Sequence, residues 1–344
     1  MFKLNSKHRS SVMGIAAIII MVHHYMTNVI GEPYKLGAIG VDMFMFTMGI
    51  GLYFSLFNGT EKVGFFRNLP SFYLKRFKRV VPVFALFLVA FGMWKYSNGG
   101  FTVKEFLLNL SFTGYWTLPY SKYFNWFISG ILLFYIVSPV FFVAFRNIRR
   151  KYIPATVLFL LLSFLVFLMR KDENGEITRT LIMVVRLIPL CFGMLFGAYC
   201  KEEPSKKEQA VILSVFTLLF IFGVILYIMN NKSWNDSGFT YGMPWYSFGL
   251  MTPFICTAIS CIVDVLTRIC KYISAPFIFF GKMSFEIYLT HVFVIENILV
   301  QLKIENRLWF DEPKNFLAAI FVSTASAYVL YLFTEKICNI KLKK

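Results

Sequence analysis

The sequence predicts an all-α, polytopic integral membrane protein of about ten transmembrane helices, with both termini cytoplasmic and residues 1–344 forming a single domain. Three observations lead there. The 344 residues are 58% apolar and 19% aromatic but only 15% charged, with a mean hydropathy of +0.64, whereas soluble globules carry about 25% charged residues. The apolar residues gather in blocks of about 20, the length that crosses ~30 Å of hydrocarbon. The formal net charge of +17 is spread unevenly between those blocks. An ordinary cytosolic enzyme and a disordered chain are both excluded.

Ten apolar segments follow in order: 11–30, 36–57, 80–96, 126–145, 154–169, 180–200, 209–230, 245–265, 277–300 and 316–338. The first follows Lys7, His8 and Arg9, contains two histidines and ends Asn28-Val29-Ile30-Gly31 without an A-x-A site, so it reads as a retained anchor rather than a cleaved signal. Asn58-Gly59 closes the second and Asn98-Gly99-Gly100 the third. Trp126 opens the fourth. The fifth is the shortest, and its Pro154 suits a first helical turn. Lys171-Asp172-Glu173-Asn174-Gly175 and Asp311-Glu312-Pro313 break the chain before the sixth and tenth.

With the amino terminus placed in the cytoplasm, Lys and Arg outside the spans divide 21 to 10 in favour of that side. That is the bias expected of cytoplasmic loops. It accounts for the net charge without nucleic acid, since basic loops sit against anionic membrane lipids. The six cysteines, 191, 200, 256, 261, 270 and 338, fall in spans or on the cytoplasmic side, which argues against disulfides and against a clustered metal site. No solenoid period or low-complexity segment is visible, and nothing sets the oligomeric state.

A charged side chain in hydrocarbon costs roughly 2.5–3.5 kcal/mol, so each one is a candidate site residue. At ~1.5 Å per residue, His24 lies ~18 Å from the cytoplasmic side. Asp42 and Arg186 lie ~9 Å below the outer face, and His291 ~22 Å up. In a core ~30 Å thick these depths coincide, so four helices offer two imidazoles, a carboxylate and a guanidinium to one layer. One reading is that Asp42 and Arg186 pair to permit insertion and that each histidine caps a buried carbonyl. The other is catalytic: a carboxylate orients an imidazole as general base, and an arginine or second histidine stabilises an oxyanion. Glu286, ~15 Å up, would face the bundle interior and pair with Lys282 at i−4.

Two further features flank the spans. Lys75, Arg76, Lys78 and Arg79 stand at the cytoplasmic start of the third, with Arg76 and Arg79 on one face, where they could hold phosphates of a soluble cofactor or anchor against headgroups. The longest outer loop, 97–125, holds Tyr115, Trp116, Tyr120 and Tyr123, followed by Trp126. These rings could stack on sugar faces as substrate contacts or form an interfacial belt.

Gly14-Ile15-Ala16-Ala17 running to His24, Gly40-Val41-Asp42-Met43-Phe44, Arg76-x-x-Arg79, Trp126 to Phe134-Tyr135 with Pro139, and Gly281-Lys282-Met283-Ser284-Phe285 with Ile287-Tyr288-Leu289-Thr290-His291 follow one another along the chain. In this order they resemble the acyltransferase 3 family of integral membrane acyltransferases. The resemblance implies ten spans in a bacterial plasma membrane. It also implies transfer of an acyl group, often acetyl from acetyl-CoA, to a hydroxyl of a surface or lipid-linked glycan, with no permanently bound cofactor. It carries the catalytic histidine onto His24 and donor-binding arginines onto Arg76 and Arg79. Two positions depart from the family: its arginine eleven residues before the histidine is Met13 here, with Arg9 one turn earlier, and its glutamate after the fourth-span tryptophan is Ile131. Glu286 is a carboxylate available in its place.

The resulting expectation is that His24, oriented by Asp42, takes the proton of an acceptor hydroxyl attacking a thioester, while Arg186 or His291 stabilises the oxyanion. Arg76 and Arg79 would hold the CoA phosphates. The competing class is a proton-coupled transporter or flippase using the same intramembrane polar residues, against which stands the lack of a visible inverted repeat.

Overall fold

A computed structural model describes residues 2–27, 35–97, 100, 102–118, 126–146, 152–169, 178–202, 204–232, 243–295 and 313–338. The segment ends 28–30 and 296–300, Asn98-Gly99, Tyr120, Tyr123, the 171–175 and 311–312 breakers, and the carboxyl tail lie outside them. Among the described residues the structure is helical, with no strand. The helices are α1 (Phe2–Lys7), α2 (Arg9–Tyr25), α3 (Ile39–Val63), α4 (Phe65–Ser97), α5 (Val103–Leu110), α6 (Gly114–Thr117), α7 (Trp126–Arg146), α8 (Tyr152–Met169), α9 (Thr178–Glu202), α10 (Lys206–Lys232), α11 (Met243–Ile269), α12 (Ala275–Lys282), α13 (Ser284–Val292) and α14 (Pro313–Cys338). Eight are long and apolar enough to cross a membrane, and α12 with α13 makes a ninth if that bent pair is one span. The chain is a multi-pass membrane protein.

Glycine contacts join the two helices at the centre. A Cβ on Gly49 would collide with the Leu190 carbonyl, and one on Gly193 with the Phe46 carbonyl. Those glycines let α3 and α9 meet backbone to backbone, the way helices associate where lipid removes the hydrophobic drive. Both are accordingly 72% buried over their apolar windows. By contrast α8 and α10, rich in Leu, Ile and Phe with few small residues, are 17% and 11% buried and face outward. A second glycine contact joins α2 to α12, where a Cβ on Gly14 would strike the Phe277 carbonyl and one on Gly281 the Ser10 carbonyl.

Two elements differ from the sequence expectation. The helix that holds the third apolar segment begins well before residue 80: α4 runs from Phe65 to Ser97 and carries the Lys75–Arg79 cations as continuous helix. Lys and Arg are good helix formers, so a basic run does not end one. The ninth span is not one rod, since α12 and α13 meet at Met283 with a bend of 71°. Gly281 is pinned against α2, while α13 turns to pack on α14 and α4. The 97–125 loop is likewise partly helical, with α5 opened by a capping box in which Thr102 and Glu105 each accept from the other's backbone N–H.

Candidate active site

The helix packing opens a cavity of about 610 Å³ among α2, α3, α4, α7 and the α12–α13 bend. Its walls carry Arg9, Lys75, Arg76, Arg79 and Lys282, and no Asp or Glu among the described residues lines it. At about 100° per residue, Lys75, Arg76 and Arg79 fall within one arc of α4, while Lys78 is turned about 160° from Arg76 and is not among the lining residues. The expected fourth cation of the cluster is therefore not part of the wall. Arg76 is braced over the Phe72 ring at 4.1 Å and donates to the Phe72 carbonyl at 3.3 Å. Met13 and Ile131 also line the cavity, so Arg9 stands on the wall that Met13 leaves apolar.

Glu286 sits behind that wall, fully buried. Its partner is Arg79, not Lys282. Arg79 donates from Nη1 to Oε1 at 2.7 Å and from Nη2 to Oε2 at 3.0 Å. The reason is the bend at Met283: Lys282 ends α12 and Glu286 belongs to α13, so the i−4 relation across a single helix does not exist. The break frees the Lys282 carbonyl, which Arg79 also approaches, at 3.5 Å.

Tyr288 and Phe127 line the same cavity, and their rings meet at 4.4 Å. Tyr288 lies three residues before His291, on the same helix face, and the two rings stand 5.5 Å apart. His291 in turn faces His24, centroid to centroid at 5.0 Å, and His23 lies 5.2 Å from His24. A line of rings thus leads from the cavity to the two histidines. Composition gave no sign of Tyr288, and its spacing to His291 was the available signal.

The four intramembrane residues meet as two pairs. His24 and His291 form one. Asp42 and Arg186 form the other, a buried ion pair between α3 and α9 with the Trp126 ring 5.8 Å from the guanidinium. Asp42 Oδ2 is bonded to Arg186 Nη1, so the expected orientation of His24 by Asp42 is not seen in this structure. Asp42 Oδ1 and Arg186 Nε have no hydrogen-bond partner among the described residues. The Ile287 carbonyl 2.7 Å from His291 Nδ1 can only accept, so Nδ1 carries a proton, and buried Nε2 has no partner among the described residues. In the neutral ring that Nε2 is a lone pair.

Trp116 lies 42% exposed on α6, its ring 5.0 Å from that of Tyr115. Tyr115 is itself buried and exchanges hydrogen bonds with Arg179. Cys191, Cys200, Cys256, Cys261 and Cys270 are free thiols. Among the described residues no three His, Cys, Asp or Glu side chains are placed to hold a metal.

The family described as Acyltransferase domain matches residues 13–332. Three curated relatives from Staphylococcus aureus strains COL, MSSA476 and MRSA252 carry the name "Putative O-acetyltransferase". Each is 26% identical over 310 residues, covering 82% of this chain and 49% of the relative. The chain spans about half the length of the curated relatives it matches. No solved structure matches it.

Proposed function

Because the chain belongs to the acyltransferase 3 family and is an acyltransferase, we propose that it moves an acyl group, acetyl in the first instance, from acyl-CoA to a hydroxyl of a cell-surface or lipid-linked glycan. The host membrane in this reading is a bacterial plasma membrane crossed ten times, with α2 and the α12–α13 pair as spans and both termini inside. The observation that carries it is the cationic cavity, lined by no acid among the described residues, whose inner rings lead to His24 and His291. Arg9, Arg76 and Arg79 hold the donor's phosphates at the mouth, and the thioester end runs inward past Phe127 and Tyr288.

In this mechanism the acceptor oxygen attacks the thioester carbonyl while His24 takes the hydroxyl proton. The carbonyl re-forms, the C–S bond breaks, and the departing CoA thiolate recovers the proton from His24. While His24 is an imidazolium, the Nε2 lone pair of His291 stands beside it as a neutral acceptor. Trp116 and Trp126 remain candidate sugar contacts.

The test uses purified full-length protein with acetyl-CoA and the host's surface glycans. Free CoA and an acetylated glycan, detected by mass spectrometry, support the reading. Solute movement without acyl chemistry would establish the transporter instead, and full transfer by His24→Ala would remove His24 from the mechanism.

A further inference from the structure

The amino-terminal helix is held by a polar network that the reaction leaves unused. Asn5 and His8 lie three residues apart and share one side of the chain. There α11 presents Thr257, Ser260 and Asp264. Asn5 Nδ2 donates to Thr257 Oγ1 at 3.1 Å, and Ser260 Oγ donates to Asn5 Oδ1 at 2.8 Å. Asp264 then gathers His8 Nε2 at 2.9 Å, Lys7 Nζ at 2.7 Å and Arg268 Nη2 at 2.6 Å. Asn5, His8, Thr257, Ser260 and Asp264 are all buried.

Seating a short helix needs only apolar contact, and a buried ionic network is weak evidence of stability by itself. A network with several directed bonds does something apolar contact does not: it sets rotation about the helix axis. Rotation matters at this place because the next residue is Arg9. Backbone bonds from His8 N–H to the Leu4 carbonyl at 2.8 Å and from Val12 N–H to the His8 carbonyl at 3.0 Å carry the helical ladder through the junction. Arg9, turned about 100° from His8, is thereby directed at α3. Its guanidinium lies against Gly51, where a Cβ would collide with Nη1, and it forms part of the cavity wall.

We propose that Asp264 is a positioning residue: through His8 it sets the rotation of the amino-terminal helix that aims Arg9 into the donor cavity. The proposal rests on the donor reading above. It makes α1 part of the donor site although none of its side chains lines the cavity.

Coenzyme A titrated into detergent-solubilised full-length protein tests it, together with steady-state kinetics against acetyl-CoA. Arg9→Gln should weaken coenzyme A binding by about tenfold, the scale of one charged hydrogen bond. Asp264→Asn should weaken it by a similar factor while kcat at saturating donor stays within about twofold of wild type. The double variant should bind no more weakly than Arg9→Gln alone, and Asp264→Glu should restore most of the affinity. His8→Gln, which leaves the Lys7 and Arg268 contacts to Asp264, must shift affinity in the same direction and serves if Asp264→Asn does not fold. Wild-type affinity in both Asp264→Asn and His8→Gln, or additive losses in the double variant, would overturn the positioning role and leave the donor cavity standing. Failure of the wild-type protein to bind coenzyme A would overturn both.

Discussion

The Asp42–Arg186 and Glu286–Arg79 pairs share the same chemistry and differ in what surrounds the arginine. Between α3 and α9 both side chains are buried, at 0% and 3% exposure, where glycines bring the two backbones together. Between α13 and α4 the carboxylate is equally buried, but Arg79 is 42% exposed and lies on the cavity wall. A pair closed on both sides cannot meet a ligand without stranding a charge in a region that does not solvate it. A pair open on the arginine side can share its cation with an arriving phosphate while Glu286 keeps the guanidinium fork oriented. In the proposed mechanism the first arrangement is structural, and the second belongs to the donor site.

The largest effect should come from breaking the closed pair. Arg186→Leu leaves Asp42 alone in the bundle and should cost about 3–5 kcal/mol, seen as lost folded yield and a lowered Tm in detergent. Asp42→Leu combined with Arg186→Leu should recover much of that loss, because two apolar side chains replace a desolvated pair. If the double variant folds and binds coenzyme A but no longer transfers acetyl groups, the pair belongs to the chemistry and the contrast fails.

His24→Ala comes next. Its transfer rate should fall by about 10²–10⁴-fold, with coenzyme A affinity within about twofold of wild type, since His24 lies beyond the cavity in this reading. An equal loss of donor affinity would place the histidine among the binding groups instead.

At the open pair the effect should be smaller. Arg79→Gln should weaken coenzyme A binding about tenfold. Glu286→Gln, which removes the competing negative charge, should not weaken it, and isothermal titration of the two variants distinguishes them. Weaker binding in Glu286→Gln would show that holding the fork matters more than freeing the cation.

The smallest effect is expected at Arg146–Glu61, a 2.8 Å pair with both partners substantially exposed. Glu61→Ala should change stability by no more than about 1 kcal/mol, leaving Tm and activity near wild type.

Depth along a helix was legible because rise per residue is constant. Counting from the span ends put His24, Asp42, Arg186 and His291 in one layer, within which His24 meets His291 and Asp42 meets Arg186. The sequence left open whether Asp42 would pair with Arg186 or orient His24. Asp42 goes to Arg186 rather than His24, and Glu286 to Arg79 rather than Lys282, because those choices depend on rotation about each axis and on which helices are neighbours. The α12–α13 bend escaped notice for a related reason: the 282–284 junction holds neither Pro nor Gly, and the close approach beside it is that of Gly281 to the Ser10 backbone of another helix. Of the basic run, the sequence put Arg76 and Arg79 on one face, and the cavity wall also takes in Lys75 but not Lys78.

By itself, the sequence determined that this protein is a helical membrane protein whose few intramembrane polar residues matter, because hydrocarbon penalises every unpaired backbone group and charge wherever the chain goes. Its ordered motifs also carried the acyltransferase family. Only the tertiary structure decided which charge meets which, that five cations and, among the described residues, no acid line one cavity, and that His291 turns Nδ1 to the Ile287 carbonyl. Those outcomes rest on contacts between residues as much as 257 positions apart, such as Lys7 with Asp264, and such contacts follow from close backbone approach at a few glycines, which hydropathy does not register.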